Sequence, residues 1–204
     1  MELKQMSQAI FEQGYRNPVW CGTEYPRITP YRGDSDKSLP LWIWEMPRSD
    51  GRYTVALDPS LGEPGRDNAA IEVLDENGVQ VAEVSLCGFP IGIQGALSNW
   101  IAYFYNEAKL VVEVNGIGAM VLDGLSSYPN LWKQRPDGLP GYMNNITSRN
   151  SAMKLLASAI ESGRDIMRSP RLRREFCGFF SGRPKDCPDD LISAFLVGHY
   201  CKGY

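Results

Sequence analysis

Tyr53-Thr-Val-Ala-Leu-Asp58-Pro-Ser-Leu-Gly62 decides the fold. Tyr53 to Leu57 is apolar and partly β-branched, which reads as a buried strand. Asp58 ends the run, and Pro59 stops the ladder because proline has no N–H to add to it. A carboxylate at the end of a buried strand is costly unless a cation or hydrogen-bond donors compensate it. Gly62, Pro64 and Gly65 then turn the chain, and Asn68 to Leu74 begins a second strand. One strand therefore delivers an acid to an edge, and a hairpin folds back beside it. In isolation Asp58-Pro59 reads better as an Asp capping a turn. The positions of the next acids decide between the two.

Working outward, Asp75-Glu-Asn-Gly78 is a tight hairpin turn with Asn-Gly as its signal. Val79 to Leu86 is the third strand. Gln94 to Ala108 carries Leu97, Ile101, Phe104 and Tyr105 at helical spacing. Lys109 to Asn115 is nearly continuous apolar sequence, as expected of a central strand covered on both faces. Gly116 to Tyr128 reads as a helix, Asn130 to Gln134 as a short strand, and Pro136 to Gly141 as a loop. Ser148 to Glu161 is a helix with Met153, Leu156, Ala157 and Ile160 as its apolar stripe and Gly163 as its stop. Asp165 to Arg168 is a short extended piece, Pro170 to Phe180 is helical, and Asp189 to Tyr200 is the last helix. A meander followed by β/α alternation predicts an α/β fold. Its mixed central sheet combines a three-strand antiparallel meander with parallel strands, flanked by helices.

Residues 1–50 have a different character. Met6, Ile10 and Phe11 suggest a short helix within Met1 to Gln13. Asn17 to Pro47 is rich in Pro, Gly and aromatics, among them Trp20, Tyr25, Tyr31, Trp42 and Trp44. We read 1–50 as an N-terminal arm or linker that packs its aromatics on a domain spanning 51–204. The 204 residues suit one α/β domain with such an arm. A net charge of -3 means that any nucleic-acid binding must come from a local patch. Five cysteines without paired metal spacing read as reduced thiols of an intracellular protein. His199 is the only histidine, which argues against a Cys/His zinc site. No apolar run reaches the length of a membrane span, and Met1-Glu-Leu-Lys-Gln lacks the features of a signal peptide.

Three acidic positions stand among apolar residues. Asp58 ends the first strand, Glu113 interrupts Leu110-Val-Val-Glu-Val, and Asp189-Asp190 opens the last helix. Asp at a helix N-terminus has an ordinary role as a cap, but one would suffice. Glu inside a strand is harder to explain, since Glu is depleted there and rarely buried unpaired. A salt-bridged structural Glu is the alternative. Carboxylates converging from strands and a helix repel one another unless a cation lies between them. Hard oxygen ligands select Mg²⁺ or Mn²⁺. Two such ions, about 4 Å apart, suit hydrolysis of a phosphodiester without a histidine or cysteine nucleophile.

Tyr-Thr-Val-Ala-Leu-Asp58, Arg66-Asp-Asn-Ala-Ala, Leu-Val-Val-Glu113-Val-Asn-Gly-Ile-Gly and Pro-Asp-Asp190-Leu-Ile-Ser-Ala-Phe occur in this order. Together they resemble the C-terminal nuclease domain of tailed-bacteriophage terminase large subunits, from about Leu41 to about Tyr200. Asn130-Leu-Trp, Thr147 to Lys154-Leu-Leu and Ile166-Met-Arg-Ser-Pro add to the likeness. The resemblance implies an RNase H-like (integrase-like) fold and metal-dependent, largely sequence-independent endonuclease cleavage of double-stranded DNA during genome packaging. It implies catalytic and metal-binding roles for Asp58, Glu113 and Asp190, with Asp189 as a neighbouring or alternative ligand. Asp67 matches an auxiliary acid of some members, or is simply a polar hairpin residue. Lys154 falls on the helix that faces the site in that family, as a phosphate contact or an ordinary exposed lysine. The histidine that many relatives carry before the terminal acids is replaced by Cys187-Pro188.

The implied partners are DNA, a terminase ATPase domain, a small terminase subunit and a portal protein, in the host cytoplasm. The glycine-rich phosphate loop of the motor is absent, since Gly62-Glu-Pro-Gly65 lacks its length and its lysine. The chain thus corresponds to the nuclease part alone, which we expect to be monomeric in isolation. Arg164, Arg168, Arg171, Arg173, Arg174, Arg183 and Lys185 make the C-terminal third locally basic. Arg168, Arg171 and Arg174 are the candidate DNA contacts. Three other readings compete. One is a resolvase-like nuclease acting on branched DNA, and another is a non-catalytic DNA-docking or assembly module. The third, a sugar-kinase or actin-like ATPase, requires a second Asp-x-Gly loop and a Gly-Gly adenosine motif that are not found.

Overall fold

The computed structural model describes residues 20–21, 41–63, 67–134, 138–164, 166–180 and 188–203. Most of the expected arm, including its helix at 1–13, lies outside the described residues. So do Arg66, Asp165, Arg183, Lys185 and Cys187. Among the described residues, six strands form one sheet: β1 (Trp20–Cys21), β2 (Leu41–Ile43), β3 (Tyr53–Asp58), β4 (Ala69–Asp75), β5 (Gln80–Leu86) and β6 (Lys109–Val112). Among the same residues, five helices follow or interleave: α1 (Ile91–Phe104), α2 (Gly118–Asp123), α3 (Ile146–Glu161), α4 (Pro170–Phe180) and α5 (Asp190–Cys201).

The sheet order is β1-β2-β5-β4-β3-β6. Strands β3, β4 and β5 are the expected antiparallel meander, and β6 joins β3 in parallel with Leu57 opposite Val112. Strand β2 adds an antiparallel edge to β5, so Leu41 to Ile43 belongs to the sheet. Residues on a strand alternate between faces. Val55, Leu57, Ile71, Val73, Val84, Leu110 and Val112 turn to one side, where they bury Leu97, Ile101 and Ala102 of α1. Ala56, Ala70, Leu74 and Val111 turn to the other side, against α5 and, behind it, α3 and α4. Asp58 continues the face of Ala56, and Glu113 that of Val111. Both acids therefore point to the side that α5 covers.

Two close approaches fix this arrangement. A Cβ on Gly198 would lie 3.1 Å from Ala56 Cβ and 3.1 Å from Leu74 Cδ1, so the glycine lets α5 lie directly on β3 and β4. A Cβ on Gly118 would meet the Glu113 carbonyl oxygen at 1.8 Å, so only glycine allows α2 to start this close to the strand end.

Several elements end sooner than their patterns predict. The first helix stops at Phe104, where Asn106 and Glu107 adopt φ of 61° and 53° and reverse the chain into β6. Tyr105 and Ala108 are still buried, which carried the apolar periodicity past the true end. The helix predicted over 116–128 is only α2, followed by turns. The strand predicted at 130–134 consists of isolated bridges, including Leu131 beside Leu110 and Lys133 beside Pro140.

Candidate active site

Asp58, Glu113 and Asp190 come from three elements and lie at one end of the sheet. The Glu113 N–H donates to the Leu57 carbonyl at 2.9 Å, which extends the β3–β6 ladder by one bond and sets Glu113 beside Asp58. Burial raises Asp58 well above the usual carboxylate range, and the charges of Glu113, Asp190, Asp189 and Asp67 raise it further. The other four acids singled out in the sequence therefore all act on Asp58. Burial pushes Asp190 up to about 6, with Asp189 and Asp67 adding to the effect and the Asn68 N–H, 3.3 Å away, opposing it. Asp58, Asp67, Asn68, Asn115, Asp189 and Asp190 line a cleft of about 420 Å³. A larger apolar hollow of about 1080 Å³, lined by Val114, Leu122, Leu131 and Leu139, contains none of these acids, so size does not mark the site.

Glu113 is raised by burial, but two groups counter the rise. The Asn144 side-chain amide donates to both of its carboxylate oxygens at 3.3 Å, and the Arg149 guanidinium favours its charged form. Asn144 is held in place by a reciprocal pair with Asn115. Its N–H donates to Asn115 Oδ1 at 2.7 Å, and Asn115 Nδ2 donates to its carbonyl at 2.8 Å. Arg149 lies in the second turn of α3, whose N-terminus is closed by a capping box between Asn145 and Ser148. Arg149 also lies over the Phe179 ring at 4.8 Å.

The strand end is pinned from the opposite face. Gln94 of α1 is buried, and its Nε2 donates to the carbonyls of Ser60 (2.9 Å) and Phe89 (2.7 Å). The Ser60 N–H donates back to Gln94 Oε1 at 3.1 Å. One side chain thus fixes the chain two residues after Asp58.

The last helix is capped from elsewhere. Asp189 makes no side-chain cap. Instead Glu175 of α4 accepts from the Leu191 N–H at 2.8 Å and the Ile192 N–H at 3.2 Å. The ordinary capping role that would have explained the Asp189-Asp190 pair is filled by another residue.

The predicted DNA-contacting cations are not drawn to the acids. Arg168 pairs with Glu45, and its N–H donates to Gln80 Oε1, at the end of β5 away from Asp58. Arg171 pairs with buried Glu83 and lies 4.0 Å over the Trp42 ring. Arg174 is exposed. Lys154 is exposed and lies about 140° around α3 from Arg149, on the side turned away from buried Ala152. The sequence reading missed Arg149, Asn144, Gln94 and Glu175. Only Arg149 had a local signal, as a cation one turn after an Asn cap.

The donor set is carboxylate and amide oxygen throughout, which suits a hard divalent cation such as Mg²⁺ or Mn²⁺. Its desolvated, mutually repelling acids are the observation that fits a cation. Among the described residues, no three acids close on a single point as they stand.

No protein family and no curated protein matches the chain in sequence. Solved structures match its fold. The large terminase nuclease from thermophilic phage G20c with bound magnesium superposes with a TM-score of 0.67 at 15% identity, covering 97% of this chain and 96% of that one. The same nuclease with bound cobalt gives 0.63 at 17% identity, over 80% and 88% of the two chains. The large terminase nuclease domain of Thermus phage P74-26 gives 0.63 at 16% identity, over 98% and 94%. The chain therefore has the RNase H-like α/β fold of large-terminase nuclease domains.

Proposed function

We propose that this chain is a divalent-metal-dependent endonuclease that cuts double-stranded DNA during phage genome packaging. The observation that carries the reading is that Asp58, Asp67, Asp189 and Asp190 line one cleft, and that burial and the charges of Glu113, Asp190, Asp189 and Asp67 together raise Asp58. Such acids are costly to bring together unless they hold a cation. The likeness in fold to nucleases solved with magnesium and cobalt bound supports the same reading.

In this proposal Asp58, Glu113 and Asp190 hold Mg²⁺ or Mn²⁺, two ions in the full site, with Asp189 and Asp67 as further ligands. When bound, the metal supplies charge stabilisation and an activated water for phosphodiester hydrolysis. The chain's own groups set the ligands. The Asn68 N–H orients Asp190, and Asn144 with Arg149 opposes the rise that burial imposes on Glu113 and holds its carboxylate in place. In the same proposal exposed Lys154 and Arg174 would contact the DNA backbone, whereas Arg168 and Arg171, paired to Glu45 and Glu83, would meet DNA only away from the acids. The wider partners are a terminase ATPase domain, a small terminase subunit and a portal protein in the host cytoplasm, and the isolated domain acts as a monomer.

Plasmid nicking tests the proposal. The chain should nick and linearise supercoiled DNA with Mn²⁺ or Mg²⁺ but not with EDTA. Asp58→Ala and Glu113→Ala, each folded, should abolish cleavage. Cleavage that survives EDTA or either substitution would overturn the assignment.

A further inference from the structure

The geometry points to Glu175 as a positioning residue for Asp190. It lies fifteen positions earlier in the chain, on a different helix, and touches none of the reacting groups. This inference rests on the reading of Asp190 as a metal ligand.

A helix leaves its first N–H groups without partners inside the helix, and they seek an acceptor. At α5 the usual acceptor would be the side chain of Asp189 or Asp190, and either choice would turn a carboxylate away from the cleft. The structure shows neither serving the Leu191 and Ile192 N–H groups. Asp189 makes no cap, and Asp190 accepts from the Asn68 N–H on the cleft side. The Leu191 and Ile192 N–H groups are both taken by one oxygen of Glu175, at 2.8 and 3.2 Å. Glu175 is nearly buried, and its neighbours Leu172 and Phe176 are fully buried in the core that α4 shares with α5. The carboxylate therefore comes from a rigid base. When ionised, it also places a negative charge at the positive end of the α5 dipole, where the helix is best served by one. With the cap supplied from α4, neither acid of the pair is needed to cap the Leu191 and Ile192 N–H groups. Glu175 thus does for Asp190 what an outer partner does for a metal-ligating side chain: it fixes the direction in which the ligand points.

The test uses the whole chain with three substitutions. Glu175→Met keeps the length and removes the acceptor. Glu175→Asp keeps the charge and withdraws it by one methylene. Glu175→Gln keeps an oxygen acceptor and removes the charge. Two readouts are taken on protein whose fold is checked by thermal melting: Mn²⁺ binding by calorimetry, and metal-free hydrogen exchange of the Leu191 and Ile192 amides. The Met and Asp variants should exchange faster at those two amides and bind Mn²⁺ roughly 10- to 100-fold more weakly. The Gln variant should recover most of both.

Unchanged exchange in the Met and Asp variants would overturn the cap. Faster exchange with unchanged Mn²⁺ affinity, while Asp190→Ala loses affinity, would overturn the positioning role. If Asp190→Ala binds Mn²⁺ as wild type does, the ligand reading of Asp190 fails instead, and the positioning role falls with it. Should the Met variant not fold, the Asp and Gln pair carries the same comparison.

Discussion

At the scale of single residues, the site is defined by repulsion. Asp58 sits where burial and four other acids all oppose its charge. Removing that charge should therefore stabilise the metal-free protein. Asp58→Asn is expected to raise the melting temperature in EDTA by a few degrees, given roughly 2–4 °C per kcal/mol for a protein of this size. It should eliminate cleavage at the same time, so a melting curve and a nicking assay on one sample check both halves. The acids were legible in the sequence because charge inside an apolar run is locally anomalous. Arg149, Asn144, Gln94 and Glu175 were not legible, because each is an ordinary residue in its own segment. Their roles come from contacts with partners 16 to 36 positions away, such as Leu191 for Glu175 and Asn144 for Glu113.

At the scale of elements, the site is a matter of how α5 lies on β3 and β6. Gly198 is eight residues along α5 from Asp190, about 12 Å at the helical rise. Its missing side chain sets the distance of the helix from Ala56 and Leu74. Gly198→Val would force the two apart at an overpacking cost of about 1–3 kcal/mol. We expect a lower melting temperature and, in the folded fraction, weaker Mn²⁺ binding, because Asp190 is carried off its place beside Asp58. Wild-type metal affinity in a destabilised Gly198→Val protein would refute that link. The meander was readable from alternation and from the Asn77-Gly78 turn. The ends of α1 and α2 were not. Burial of Tyr105 and Ala108 continues the helical pattern through a reversal that depends on backbone angles at Asn106 and Glu107. The apolar run at 109–115 marked a buried strand, but not a central one: β6 is the last strand of the sheet, flanked on its outer side by isolated bridges, and the regular ladder ends at Val112.

At the scale of the whole molecule, the raised carboxyls make stability depend on pH in an unusual direction. Asp58, Glu72 and Glu113 are raised, Asp190 to about 6 and Glu175 to about 7. For each, the folded state holds a proton that the unfolded chain has lost, so stability rises as pH falls through that window. His199, pushed down to about 3 by burial and by Lys202 and Arg164, acts in the opposite sense once the unfolded imidazole begins to charge. Five carboxyls outweigh one imidazole. In EDTA the melting temperature should therefore climb between about pH 8 and about pH 5. Saturating Mn²⁺ should flatten the curve by restoring stability at the alkaline end, and a metal-free optimum near pH 8 would contradict the repulsion.

The Gln94 clamp gives these layers a common joint. It ties the chain just beyond Asp58 to α1, on the face of the sheet turned away from the acids. Two sites joined in this way share a coupling free energy, and such coupling is reciprocal. Loading the cleft with Mn²⁺ should then slow hydrogen exchange in the first turns of α1, and Gln94→Ala should remove that response. By the same reciprocity, anything that grips the outer side of α1 acquires a handle on the acidic cleft without ever approaching it.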